Sequence, residues 1–154
     1  MSQHFAFRWQ FSLSSVLVAL VLVGLGARGA RWHLDGQREV EWQAFSEDRL
    51  SKYTTQGRVV LVAVNADWDP LTLVKMQYFD TPDVRRAAYN RGVVPLWAEW
   101  SEQSHDIGDF MRSVGGINLP LVVVYPRDKS VLPIVLRGDY DAEQLVDAIE
   151  VAAR

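Results

Sequence analysis

The residues best placed for chemistry are Asp69 and Thr72, three positions apart in the segment 65–72. An apolar run, 59–64, precedes this segment and predicts a buried strand. Asp69 and Pro70 are a typical helix start, because the carboxylate can accept from free first-turn N–H groups and proline needs no N–H there. The sequence therefore directs the positive end of a helix dipole at a strand-to-helix junction, where α/β sheets commonly place their sites.

Asp69 admits two interpretations. Its carboxylate could be a nucleophile or a metal ligand, but Asp-Pro opens helices so commonly that we predict N-capping. Thr72 could hydrogen-bond a ligand, although a first-turn threonine more often bonds backbone or water. No base is oriented toward either side chain, and the three histidines are too scattered for a metal site. We therefore expect no catalytic residue, no metal and no cofactor.

Composition restricts the function further. The 154 residues suffice for one domain, and 49% of them are hydrophobic. The net charge is −3 without a basic stripe, so nucleic acid is not an expected partner. The chain contains no cysteine, which excludes disulfides, thiolate metal sites and thiol redox chemistry.

Helices and strands alternate along the chain. Periodicity and end signals predict helices at 46–55, 70–78, 82–90, 104–114 and 142–153, and strands at 59–64, 93–99, 119–125 and 131–136. This order indicates an α/β domain over 45–154 with a mainly parallel sheet, to which a final hairpin adds an antiparallel edge.

The N-terminal part of the chain has a different composition. After a tail, 1–10, the segment 11–27 is apolar and uncharged, which predicts either a transmembrane helix or a signal peptide. Its end offers a poor cleavage site, and Arg28 spoils a later one, so we expect an uncleaved anchor. The polar segment 28–44 is predicted to be a linker.

One motif indicates a family. Ala66-Asp67-Trp68 before a helix resembles the Ala-Asp-Trp-Cys-x-x-Cys segment of thioredoxin-like domains, in particular the C-terminal domain of DsbD-type thiol:disulfide interchange proteins. Segments 81–84, 118–120 and 131–133 match further features of that domain in chain order. The resemblance covers roughly residue 40 to the C-terminus and implies a thioredoxin-like fold, in which helices flank a central mixed sheet.

The resemblance also implies a degenerate site. Asp69 and Thr72 stand at the positions of the two cysteines, and Ala63 stands at the position of a buried aspartate that moves protons for the thiols. Leu73 and Met76 replace a lysine and a glutamate of the family. Thiols, proton carrier and flanking charges are thus missing together.

The same resemblance predicts a binding surface. In the family, the loop that matches Leu119-Pro120 contains a cis-proline, faces the first cysteine position and exposes backbone to an extended peptide. A trans proline that starts a strand is the alternative. Trp68 could belong to a recognition surface or be half-buried packing. The expected binding residues are Asp67, Trp68, Asp69, Leu119 and Pro120.

Together these features predict a membrane-anchored, redox-inactive thioredoxin-like module that binds a polypeptide or membrane-protein partner. A thiol:disulfide oxidoreductase, which similarity alone would suggest, and a structural scaffold in a membrane assembly are the alternatives. Arg28, Arg31 and Arg38 follow the predicted span, so the positive-inside rule favours a cytoplasmic domain. The resemblance implies an extracytoplasmic domain, and we expect that orientation.

Overall fold

The structure is a computed structural model that describes residues 39–116 and 118–154. The predicted tail 1–10, the predicted anchor 11–27 and most of the predicted linker lie outside these residues. Within the described ranges, no helix is long and apolar enough to cross a bilayer.

The described residues form an alternating series of strands and helices. In chain order these are β1 (Gln43–Ala44), α1 (Glu47–Thr55), β2 (Val60–Asn65), α2 (Pro70–Met76), α3 (Pro82–Arg91), β3 (Val94–Glu99), α4 (His105–Ser113), β4 (Leu121–Tyr125), β5 (Ile134–Arg137) and α5 (Ala142–Ala152). A 3₁₀ turn, Gln77–Asp80, connects α2 to α3. Every predicted helix and strand is present, and β1 was not predicted.

The strands form one mixed sheet in the order β1-β3-β2-β4-β5. β1 and β2 both pair in parallel with β3. β4 pairs antiparallel with β2, and β5 pairs antiparallel with β4. The mixed sheet and its antiparallel hairpin edge are therefore confirmed, but the sheet is not mainly parallel, because two of its four strand pairs are antiparallel.

The central strand β2 is buried along its whole length, which explains its uninterrupted apolar sequence. Alternate residues of β2 point into two cores on opposite faces of the sheet. The core beneath α1 and α4 includes Val60, Val62, Val64, Leu96 and Met111. The core beneath α3 and α5 includes Leu61, Val84, Leu145 and Ile149. Each such side chain, when fully buried, stabilises the fold by roughly 1.5–3 kcal/mol.

Two boundaries differ from the predicted ones. β1 lies in the predicted linker, and the preceding Trp42 packs against Phe79 and Trp97 with ring centroids 5.0 and 5.2 Å apart. The folded domain thus begins before residue 45. The strand expected from residue 131 begins at Ile134, directly after Pro133, whose missing N–H cannot join the strand ladder.

Candidate functional site

Four loops meet at one end of the sheet. β2 and β3 run parallel and end side by side, with Asn65 opposite Glu99. β4 begins beside the end of β2, because the two strands are antiparallel. The loop after β5 lies here too, since the Gly138 N–H donates to the Pro120 carbonyl at 3.1 Å. We call this region, formed by residues 65–69, 99–104, 118–121 and 138–141, the site end.

Glu99 fastens two of these loops together. Its carboxylate accepts from Asn65 Nδ2 at 2.8 Å, from the Ser101 N–H at 3.1 Å and from the Ser101 hydroxyl. Ser101 Oγ in turn accepts from the Asp67 N–H at 2.8 Å. Burial raises the pKa of Glu99, but the hydrogen bonds from Ser101, Asn65 and Trp97 outweigh it and hold the pKa below its ordinary value. The loop after β2 is thus tied to the loop after β3 through a charged acceptor.

Two tryptophans lie on these tied loops. The ring centroids of Trp68 and Trp100 are 5.9 Å apart at an interplanar angle of 57°. Trp68 is nevertheless 50% exposed, so it both packs within the domain and presents apolar surface to solvent. The backbone N–H of Trp100 donates to the Asn65 carbonyl at 2.7 Å. Sequence reasoning missed Trp100, because its proximity to Trp68 depends on the pairing of β2 with β3.

Asp69 caps α2, as predicted. Its Oδ2 accepts from the Thr72 N–H at 3.1 Å and also from the Thr72 hydroxyl. Thr72 is almost completely buried. The two side chains that the resemblance places at the cysteine positions are therefore hydrogen-bonded to each other. Within the described residues, no group of three or more His, Asp or Glu side chains could hold a metal ion.

Ala63, which the resemblance matches to a proton-carrying aspartate, lies in an apolar environment. Ala63 is fully buried in β2, with Trp97 and Val122 as its neighbours on the adjacent strands. Met76 packs partly buried against the same core, whereas Leu73 is about half exposed. None of these three positions carries a charged side chain.

The Leu119–Pro120 peptide bond is cis, as the resemblance implied. The bond lies immediately before β4, whose first residue, Leu121, is opposite Val64 of β2. Pro120 is buried and Leu119 is half-buried. The predicted binding residues therefore fall into two segments, 67–69 and 119–120, which follow β2 and precede β4 at the same end of the sheet.

Sequence reasoning also missed Lys75, the one charged residue in the predicted helix 70–78. Its side chain is only 5% exposed, and Nζ donates to Asp139 Oδ1 and to the Tyr140 carbonyl, each at 2.7 Å. Nζ also lies 5.1 and 5.6 Å from the ring centroids of Tyr78 and Tyr140. The hydrogen bond from Lys75 to Asp139 raises the pKa of Lys75 against the opposing effect of burial, and it lowers the pKa of Asp139.

Comparison with known proteins identifies the fold. No protein-family model matches the chain, and no curated protein matches it. Solved structures do match. A thioredoxin from Malassezia sympodialis is 20% identical with a TM-score of 0.56, and the match covers 77% of this chain and 95% of the thioredoxin. Chloroplastic thioredoxin z is 16% identical with a TM-score of 0.55, covering 75% and 95%.

The C-terminal domain of DsbD from Neisseria meningitidis, in its reduced form, is 14% identical with a TM-score of 0.55. The match covers 71% of this chain and 99% of that domain. The chain therefore has a thioredoxin-like fold, with DsbD C-terminal domains among its structural neighbours. Since no cysteine is present, this thioredoxin-like domain lacks the dithiol that thiol–disulfide exchange requires.

Proposed function

We propose that this chain is a cysteine-free thioredoxin-like module that binds an extended polypeptide between segments 67–69 and 119–120. The observation that carries the proposal is the Asp69–Thr72 pair. The pair keeps the start of α2 intact, with hydrogen bonds that replace a dithiol. A carboxylate and a hydroxyl cannot form the mixed disulfide of thiol exchange, so the module acts by binding.

The backbone around Pro120 limits how a peptide can pair. Proline has no N–H, and the Pro120 carbonyl already accepts from Gly138. A peptide that adds to this loop in the manner of a strand must therefore use the N–H and carbonyl of Leu119. Trp68, half exposed on the neighbouring loop, supplies apolar contact area for a side chain of the peptide.

The binding proposal is tested on the full chain in lipid nanodiscs, by titrating extended peptides while recording amide and indole NMR shifts. We expect shifts at Leu119, Leu121 and Trp68, and roughly tenfold weaker binding in Trp68→Ala. Leu132→Ala is the matched control, because Leu132 is 83% exposed in the β4–β5 connection. Unmoved resonances at all three residues, or insulin reduction by the purified chain, would overturn the proposal.

We further propose that segment 11–27 anchors the module in a membrane, with the domain on the extracytoplasmic side. Support comes from 17 consecutive uncharged residues, about 25 Å of helix. The chain should then stay in the membrane fraction after carbonate extraction, and externally added protease should digest the domain in cells whose outer barrier is opened. Release of the chain by carbonate would contradict anchoring. Protection of the domain from protease would indicate the opposite orientation.

A further inference from the structure

Helix α2 exposes its apolar side chains and buries its polar ones. Leu71, Leu73 and Val74 are 42%, 49% and 51% exposed. Thr72 and Lys75, between and beside them, are buried. A helix on the surface of a soluble domain normally shows the opposite distribution, because burial of apolar area stabilises the fold. The exposed apolar side of α2 therefore needs an explanation other than folding.

These side chains follow closely after the exposed Trp68 in the chain. Of the eight large hydrophobic side chains that are exposed in the described residues, four lie within residues 68–74. We call Trp68, Leu71, Leu73 and Val74 the α2 face. Single exposed apolar residues are ordinary, but four within seven consecutive residues point to an interaction surface.

The border of the α2 face is acidic. The segments 65–74, 99–106, 118–121 and 138–141 contain no lysine or arginine, although the whole chain has 16. The same segments contain seven carboxylates, which are Asp67, Asp69, Glu99, Glu102, Asp106, Asp139 and Asp141. Two cations lie close to these segments: Lys75 is buried and paired with Asp139, and Arg137, opposite Leu121, donates to the Val114 carbonyl. The seven carboxylates outnumber them. An approaching molecule therefore meets an apolar centre within a field of negative charge.

We propose that the α2 face binds an apolar polypeptide segment flanked by lysine or arginine. This inference rests on the proposed function and extends its peptide surface along α2. Apolar side chains of the partner cover Leu71, Leu73 and Val74, while its cations lie toward the acidic border. The same carboxylates repel an anionic bilayer surface, which favours a polypeptide as the occupant.

Two fluorescent peptides with the same apolar centre, one flanked by lysines and the other by glutamates, test the inference. Their affinities for the full chain in zwitterionic nanodiscs are measured by anisotropy. The lysine-flanked peptide should bind at least tenfold more tightly at low salt. The difference should shrink as salt rises, because the Debye length falls from about 30 Å at 0.01 M to about 3 Å at 1 M.

Variants locate the contact. Leu71→Ser/Val74→Ser should lower the affinity for the lysine-flanked peptide about tenfold or more. Leu132→Ser, at an exposed leucine outside the α2 face, should leave that affinity unchanged. Asp67→Asn should reduce the difference in affinity between the lysine-flanked and the glutamate-flanked peptide. Thermal unfolding of each variant distinguishes a lost contact from a lost fold.

Three results would overturn the inference while leaving the proposed function intact. These are equal affinities for both peptides, unchanged binding by Leu71→Ser/Val74→Ser, and quenching of Trp68 fluorescence by brominated lipids, which would place the α2 face on the bilayer. Trp68→Phe identifies the Trp68 share of any quenching. If neither peptide binds and no peptide shifts Leu119 or Leu121, the proposed function fails as well.

Discussion

Asp69 and Thr72 form a closed arrangement at the start of α2. The Asp69 carboxylate accepts hydrogen bonds from both the N–H and the hydroxyl of Thr72. The helix is thus capped by a side chain that cannot form a disulfide. At the neighbouring strand ends, Glu99 collects donors from three residues and keeps Trp68 and Trp100 on adjoining loops. Individual hydrogen bonds thus keep the shape of the site end without a redox group.

The cap predicts a stability effect at Asp69. Asp69→Ala should lower the free energy of unfolding by about 1 kcal/mol, because the first turn of α2 loses its side-chain acceptor. Asp69→Ser and Asp69→Asn, which retain a capping oxygen, should cost only a fraction of that. Urea unfolding followed by circular dichroism measures the differences, and an Asp69→Ala variant as stable as the wild type would show that the cap contributes nothing.

Glu99 predicts a pH dependence. Its pKa in the folded state lies below the ordinary 4.5, so its contribution to stability is present above that pH and is lost as pH falls through the folded pKa. The thermal midpoint of the wild type should therefore exceed that of Glu99→Gln at pH 7, and this gap should narrow below about pH 4.5. The pKa values of Asp128 and Asp139 are also lowered, so only the difference from Glu99→Gln isolates Glu99. A pH-independent gap would contradict this assignment.

Helix α2 is unusual because it exposes apolar side chains and buries polar ones. Its inner side carries Lys75, which joins the helix to the turn before α5 through Asp139 and the Tyr140 carbonyl. The partners of this ion pair differ in exposure, since the Lys75 side chain is 5% exposed and that of Asp139 is 97% exposed. Water can thus replace the exposed carboxylate of Asp139 far more easily than it can replace the buried side chain of Lys75, whose Nζ lies near two tyrosine rings.

That asymmetry predicts the order of three variants. Lys75→Ala should lower the thermal midpoint most, by roughly 5 °C, because it removes the aliphatic stem from a packed site. Lys75→Met keeps the stem volume and removes the charge, so its loss should be smaller. Asp139→Asn should also be mild, because solvent surrounds the carboxylate. If Asp139→Asn were the most destabilising variant, the ion pair would outweigh the packing.

For the whole molecule, the fold and the missing thiols together limit what the chain can do. The sheet order and the cis-proline loop match a thioredoxin-like fold, and the fold is stabilised by two apolar cores that include neither Asp69 nor Thr72. Residues other than cysteine at positions 69 and 72 are therefore compatible with both cores. A fold of this kind can carry functions other than thiol–disulfide exchange.

The thioredoxin-like fold predicts that a dithiol can be introduced at positions 69 and 72. Asp69→Cys/Thr72→Cys should form an intramolecular disulfide on oxidation, because both positions lie in the first turn of α2 and the helix N-terminus lowers a thiol pKa. Mass spectrometry after alkylation measures the disulfide, and insulin reduction measures turnover. Asp69→Cys alone is the control, and it should form no intramolecular bond. A double variant that stays fully alkylatable after oxidation would contradict the inferred fold.

Short-range patterns in the sequence were enough for most of the elements and for the helix caps. The alternation of apolar runs with capped amphipathic segments predicted the five helices and four of the five strands, because those signals act over a few residues. The two residues of β1 carry no periodicity, and their partners Leu96 and Trp97 lie about fifty positions away. No local pattern could have predicted that strand.

In the candidate site, too, contacts between residues close in sequence could be predicted, and contacts between distant residues could not. The Asp69 cap depends on a residue three positions away and was visible in the sequence, and so was the absence of cysteine. The hydrogen bond between Asn65 and Glu99 joins residues 34 positions apart, and the Lys75–Asp139 pair joins residues 64 apart. Such contacts exist only once strand pairing fixes which loops share an edge. For that reason the composition of the site could be deduced from the chain, whereas its acidic border and outward apolar helix emerged only from the folded arrangement.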